Sequence, residues 1–202
     1  MGVAVVDVLS CGAPPAGLAD SKLLTARRRD EVAPRVEQWV AAWGVGHASA
    51  AEIDERGLTA ALRLAGLRAL AACRVGPEVV LLDGRHDWLS APSQPGWFDD
   101  PTVVPPVVTR IGADRVCASV AAASVLAKVT RDRLMTELAQ RHPHYAWDIN
   151  KGYGSPAHLA ALARHGPCAE HRRSWRLPER TVSHDTLGTS GPFPTGTGRL
   201  ET

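Results

Sequence analysis

The chain has 202 residues, of which 45% are hydrophobic and 22% charged, with a formal net charge of +2. This composition excludes a chain disordered throughout and supplies enough apolar surface for a core that requires neither disulfides nor a structural metal. The small net charge excludes a histone-like polycation, and the length suits one domain, or one with a small appendage.

Val3 to Leu9 is apolar and β-branched and reads as a strand, followed by a Gly- and Pro-containing loop over Cys11 to Ala19. Thr25 to Trp43 has helical composition, with Pro34 predicting either a kink or two pieces. Val45 to Ala48 suits a short strand. Ser49-Ala-Ala-Glu52 is a capping box opening a helix that runs to about Gly57, and Leu58 to Cys73 is a second helix. Glu78 to Leu82 reads as a buried strand ending at Asp83-Gly84. Arg85 to Asp100, with two Trp and two Pro, reads as a loop or insertion. Val103 to Ile111 reads as a strand whose ladder Pro105-Pro106 interrupts. After Asp114 comes a long helix, in which Val116, Val120, Ala123, Ala127, Leu134 and Leu138 fall within roughly a 60° sector. Ala118 to Ala127 carries no charge and is expected to be buried all round. Ala157 to His165 is a further helix closed by Gly166-Pro167, and residues 181–202 read as a disordered tail. Strands alternating with helices predict an α/β fold.

Neither a G-x-x-x-x-G-K-[ST] loop nor a G-x-G-x-x-G turn is present, which counts against nucleoside-triphosphate and dinucleotide folds. The cysteines, Cys11, Cys73, Cys117 and Cys168, form no C-x-x-C pair and fit a reducing compartment better than a disulfide framework or zinc site. No apolar run is long enough to span a bilayer and Met1 is followed by no basic n-region, so a cytoplasmic location is expected.

Several residues could carry chemistry. Asp83 follows a buried strand, where open α/β sheets bind ligands, and a carboxylate there suits magnesium; equally, Asp-Gly is an ordinary turn. Asp114, between a strand and a helix, is either a second metal ligand or an N-cap. Asp132 lies about 27 Å further along a straight helix, which points to a surface or packing role. Lys151-Gly152-Tyr153-Gly154 offers a base for phosphate and a ring for stacking, or else a plain turn with a half-buried ring. His171-Arg172-Arg173-Ser174-Trp175 again sets bases beside an aromatic ring, and Asp20-Ser21-Lys22 is a third polar cluster, or simply a loop. Residues 151–180 hold six bases against Glu170 and Glu179, the local excess that phosphate binding needs.

The order of these elements is more specific than any of them alone. Gly-Leu-Ala-Asp-Ser-Lys (17–22), Glu-Ile-Asp-Glu (52–55), Val-Leu-Leu-Asp-Gly (80–84), Ala-Ala-Ala-Ser-Val-Leu-Ala-Lys-Val-Thr-Arg-Asp-Arg (121–133), Asn-Lys-Gly-Tyr-Gly (150–154) and Gly-Pro-Cys-Ala-Glu-His-Arg-Arg-Ser-Trp (166–175) follow one another. Over residues 1–177 this run closely resembles bacterial type 2 ribonuclease H (ribonuclease HII), with an actinobacterial flavour. The resemblance implies a ribonuclease H-like mixed sheet with flanking helices and a helical C-terminal segment, occupying residues 1–180. It implies an endonuclease that cuts the RNA strand of RNA–DNA hybrids and incises duplex DNA at ribonucleotides, in DNA replication and repair. Two-metal hydrolysis with Mg²⁺ or Mn²⁺ would leave 5′-phosphate and 3′-hydroxyl ends. By the same resemblance Asp83 and Asp114 are the third and fourth metal ligands and catalytic acids, and Tyr153 stacks at the RNA–DNA junction. Ser21, Lys22, Lys151, Gly152 and Arg172 line the nucleic-acid groove. A monomer is expected.

The chain departs from the family's pattern at its start. The family opens with a strand bearing adjacent Asp and Glu and then Gly-Arg-Gly, whose backbone reads the ribose 2′-hydroxyl. Residues 1–15 supply neither, and Asp7 is a lone acid in what matches the family's second strand. A misplaced start or a true truncation would produce this, and either predicts weak or absent cleavage by the chain as given. The alternative is a non-catalytic hybrid-binding remnant. Two smaller departures are the Trp-rich insertion between Asp83 and Asp114, and Gly112, where the family has lysine.

Overall fold

The computed structural model describes residues 1–90 and 104–175. The expected disordered tail over 181–202, and most of the Trp-rich insertion, lie outside the described residues. Four strands, β1 (Gly2–Val5), β2 (Ala42–Val45), β3 (Val80–Asp83) and β4 (Val107–Arg110), form two ladders, with β1 antiparallel to β2 and β3 parallel to β4. Helices α1 (Ala26–Trp39), α2 (Ala50–Arg56), α3 (Leu58–Ala72), α4 (Ala113–Val116), α5 (Ala118–Arg141), α6 (Trp147–Asn150) and α7 (Pro156–His165) pack around them. This is a mixed α/β fold with a helical C-terminal segment.

Small residues let helices lie directly on the β1–β2 ladder. A Cβ on Gly2 would collide with the Ala123 carbonyl of α5, and one on Gly44 or Gly46 with the carbonyls of Ala69 or Ala65 in α3. One core cluster joins Val32, Ala33, Val36 and Val40 to Ala122, Val125, Leu126 and Val129 of α5. A second groups Leu67, Leu82 and Leu89. A third, around Tyr145 and Trp147, holds α7 to the end of α5 through Leu138, Ala139, Ala161 and Leu162.

Several boundaries differ from expectation. The first strand stops at Val5 because the Asp7 carboxylate bonds the Leu9 N–H (3.0 Å) and the Ser10 hydroxyl (2.6 Å), closing a turn; Asp7 is therefore not a strand residue. Helix α1 is a single element despite Pro34. Pro34 and Asp30 are both exposed, so the carbonyl that loses its N–H partner stands beside solvent. The second strand begins at Ala42, earlier than Val45, as α1 ends at Trp39. The strand expected from Val103 begins only at Val107. Proline lacks an N–H, and Pro106 joins the ladder solely by accepting from the Val80 N–H.

The capping box forms as expected, with Ser49 Oγ accepting from the Glu52 N–H and Glu52 from the Ser49 N–H. The long helix has no exposed residue over Ala118 to Ala127, but its fully buried stripe is Ala121, Ala122, Val125, Leu126 and Val129. Of the sector expected to be buried, Val116 is exposed and lies outside α5, whereas Ala123 and Ala127 abut β1. Spacing marked one packed face of a helix that packs on two.

Candidate functional site

Parallel pairing of β3 with β4 places Asp83 opposite Arg110 at the carboxyl end of the ladder. Asp83 is the exposed last residue of its strand, and its Oδ1 accepts the Ala113 N–H at 2.9 Å. Its carboxylate therefore lies against the residue preceding Asp114, although the two acids are far apart in the chain. Gly112 takes a left-handed conformation (φ 67°) in the turn from β4 into α4, a region that residues with a Cβ avoid. Asp114 sits in the first turn of the short α4 rather than at the N-cap of α5, the position that Cys117 holds, and is 6% exposed. The capping reading of Asp114 is thus set aside.

Lys22 projects toward the same point, its Nζ 3.5 Å from Asp114 Oδ2. Its loop is held from below. Buried Asp20 accepts the Lys22 N–H (3.0 Å), the Ser21 N–H donates to Ser124 Oγ on α5 (3.2 Å), and Arg29 donates to the carbonyls of Ser21 and Leu24. Ser21 itself is 7% exposed, so its backbone is anchored into α5 more than its side chain is offered to a ligand. Among the described residues no three His, Cys, Asp or Glu side chains converge as a metal site.

The Tyr153 turn lies further along α5. Lys151 is left-handed (φ 51°), and Asn150 Oδ1 accepts the Gly152 N–H at 2.7 Å. A Cβ on Gly152 would press on Met135 and Arg131. The Tyr153 ring is 61% exposed, with Lys128 Nζ 5.5 Å and the Arg131 guanidinium 5.2 Å from its centroid. Lys151 Nζ donates to Thr136 Oγ1 and the Asp148 carbonyl, both at 2.7 Å. Ser124, Lys128 and Arg131 recur at helical spacing on one face of α5, with Thr136 turned about 80° round the helix from Lys128, so α5 carries the Ser21 loop, the Tyr153 turn and Lys151 over about 18 Å.

Three groups of side chains support this surface; of them, sequence reasoning gave only Asp132 a surface or packing role, without its partners. Asp132 gathers Arg29 (3.4 Å), Lys128 (2.5 Å) and Arg131 (3.5 Å), tying α1 to α5 beneath the Tyr153 turn. The helix does break, at Cys117, but the Asp132 carboxylate is taken by these bases and not by Asp114. Asp54 of α2 accepts the N–H groups of Arg173 (2.7 Å) and Ser174 (2.9 Å) and the Ser174 hydroxyl; these bonds, the hydroxyl's foremost, hold its carboxyl below the usual range. The segment fixed in this way carries Arg172, stacked 3.7 Å over the Trp175 ring. Finally, His158 and His171 are buried and bonded to each other at 3.1 Å. Asp54, Asp132 and His171 lie within the short motifs quoted above, whereas His158, in the helix between two of them, carried no such signal.

All four cysteines are free, and among the described residues no helix is long and apolar enough to cross a membrane.

Comparison with known proteins follows the same outline. The family profile described as Ribonuclease HII matches residues 3–177. The chain is 50% identical over 162 residues to a ribonuclease HII of Streptomyces avermitilis, covering 80% of this chain and 64% of that protein. It is 43% identical over 181 residues to a ribonuclease HII of Paraburkholderia xenovorans, covering 89% of this chain and 66% of that one. The chain thus spans just under two thirds of the length of these relatives. The crystal structure of ribonuclease H2 from Pyrococcus horikoshii superposes with a TM-score of 0.65 at 25% identity, covering 86% of this chain and 84% of that one. By motif order, fold and the match over residues 3–177, the chain belongs to the ribonuclease HII family.

Proposed function

We propose that the protein is a metal-dependent endonuclease that cleaves the RNA strand of RNA–DNA hybrids and incises duplex DNA at ribonucleotides, leaving 5′-phosphate and 3′-hydroxyl ends. The observation that carries this reading is that, at the end of the β3–β4 ladder, Asp83 binds the N–H of the residue beside Asp114, and Asp114 pairs with Lys22, in a chain of this family. Two hard carboxylate donors suit Mg²⁺ or Mn²⁺, which take one or two carboxylates together with phosphate and water. A metal held by Asp83 and Asp114 would supply an activated water and charge stabilisation at the scissile phosphate and its leaving oxygen.

The protein's own residues do the rest. Buried Asp114 meets a cation with little competing solvent, whereas exposed Asp83 is open to substrate. Lys22, 78% exposed along its side chain, turns from Asp114 to a backbone phosphate. Lys151 and Arg172 contact further phosphates, Gly152 allows close backbone approach, Ser21 fixes the Lys22 loop, and Tyr153 stacks at the RNA–DNA junction. Four free, scattered cysteines suit a reducing cytoplasm.

The test is to incubate the 202-residue chain with labelled hybrid and with a duplex bearing one ribonucleotide, in Mn²⁺ or Mg²⁺. The expected result is slow, metal-dependent cleavage that Asp83→Asn or Asp114→Asn abolishes. No cluster of three or more potential metal ligands exists among the described residues, and this favours a second reading, hybrid binding without cleavage. Tight hybrid binding with no metal-dependent product would select it, and neither binding nor cleavage would overturn both.

A further inference from the structure

His158 and His171 have hydrogen-bond partners that fix both tautomers. The Tyr153 carbonyl can only accept, so His158 Nδ1, 2.9 Å away, carries a proton. The backbone N–H of Cys168 donates to His171 Nδ1 at 3.1 Å, so the proton of His171 sits on Nε2. His171 Nε2–H then donates to His158 Nε2 at 3.1 Å, which also accepts from the Trp147 indole at 3.3 Å. The chain runs Cys168 N–H to His171, His171 to His158, and His158 to the Tyr153 carbonyl, with every donor facing an acceptor. Its two ends belong to the turn that presents Tyr153 and to the segment that presents Arg172.

We propose that the His171–His158 pair is a positioning device that sets the Tyr153 turn against the Arg172 segment, so that ring and guanidinium meet the same nucleic acid at one spacing. This rests on the hybrid-binding reading of Tyr153 and deepens it. The relay works only with both rings neutral. A proton on His158 Nε2 would face two N–H donors, and one on His171 Nδ1 would face the Cys168 amide. The surroundings of His171 favour its neutral form. The rings are 5% and 8% exposed, and the groups around them are His142, His144 and Tyr145 from the turn after α5, Trp147 of α6 and the Cys168 thiol. Burial, then the neighbouring His158, push His171 down to about 4, so its Nδ1 stays free to accept from the Cys168 amide near neutral pH.

The experiment compares the parent with His158→Phe, which removes all three ring hydrogen bonds, and His158→Asn, whose amide reproduces the Nδ1–H donor. Anisotropy titrations with an RNA–DNA junction duplex and a plain DNA duplex give the junction preference of each. His158→Phe is expected to lose about 5- to 10-fold of that preference with plain-duplex affinity unchanged, within the range for one stacked base; His158→Asn should recover most of it. Long-range ¹⁵N spectra of the parent at pH 7 should show His158 protonated on Nδ1 and His171 on Nε2. Undiminished preference in the Phe variant, an Asn variant no better than Phe, or the opposite tautomers would overturn the proposal. A parent without junction preference would sink the functional reading of Tyr153 instead. The positioning claim would then be decided by the Tyr153 and Gly154 amide resonances, displaced in Phe and restored in Asn if it holds, unmoved if it does not. If His158→Phe fails to fold, the tautomers and the Asn variant decide.

Discussion

Tyr153 and Lys151 stand two residues apart on one turn yet should fail differently when removed. The tyrosine ring is exposed and flanked by two cations, an open face on which a base or sugar can stack. One stacked base is worth ~1–3 kcal/mol, so Tyr153→Ala should weaken binding at an RNA–DNA junction by about 5- to 150-fold and leave plain duplex nearly untouched. Lys151→Ala removes a phosphate contact, so affinity should fall alike for junction, hybrid and plain duplex, and its salt dependence should flatten. Anisotropy titrations at two salt concentrations separate the two. Equal loss on all three duplexes for Tyr153→Ala would make it a structural ring. Asp83 and Asp114 could be singled out in the sequence because one follows a buried strand and the other stands between a strand and a helix. The partners of Asp132 could not. Its partner Arg29 comes from a helix 103 residues away in sequence, and helical periodicity carries no trace of that meeting.

At the scale of elements, close approach decides what can be changed. Gly46 lies where β2 leaves the ladder, and a Cβ there would meet backbone of α3, the Ala65 carbonyl and the Ala69 amide, neither of which can rotate away. Gly46→Ala should therefore destabilise by about 2–3 kcal/mol, read as a lower midpoint in urea with an unchanged slope. An unshifted midpoint would mean that α3 can slide along the ladder. Asp132→Ala acts on α1 and α5 together, since it strands Arg29, Lys128 and Arg131 in a partly buried spot. A loss of roughly 1–3 kcal/mol is expected, short of the cost of breaking a fully buried pair. Elements with strong local signals were legible: the Ser49 capping box, the Val79–Leu82 apolar run, and the helix closed by Gly166. Ends set by tertiary bonding were not. Neither the α4–α5 break at Cys117 nor the separate short α6 has a propensity signature, and burial of α5 against both a strand and α1 erased the single stripe that spacing implied.

Across the whole molecule, pH should reveal how far the C-terminal segment contributes to stability. The His158–His171 pair sits in the cluster that holds α7 and residues 168–171 to the end of α5. His171 ordinarily titrates near 6.5 and is pushed to about 4 by burial and then by His158. Above 6.5 the ring is neutral whether folded or not, and pH has no leverage through it. Between 6.5 and 4 the unfolded chain takes up a proton that the native ring refuses, so stability falls as pH falls, and below about 4 both forms are charged and the effect levels off. The loss should be on the order of 1–3 kcal/mol, reduced from the full interval by whatever water reaches the ring. Carboxylates contribute in the same direction but later. Glu52, held at about 2 by the Arg68 guanidinium and then by the Ser49 N–H, keeps its contribution above 4.5 and loses it as pH falls toward 2. Urea unfolding at pH 7.5, 6.0, 5.0 and 4.0 should show the parent losing stability mainly between 6.5 and 4, while His171→Gln, less stable at pH 7.5, converges on it as the pH drops. Parallel curves at every pH would show that His171 titrates normally in the fold and that its burial is not what holds the segment neutral.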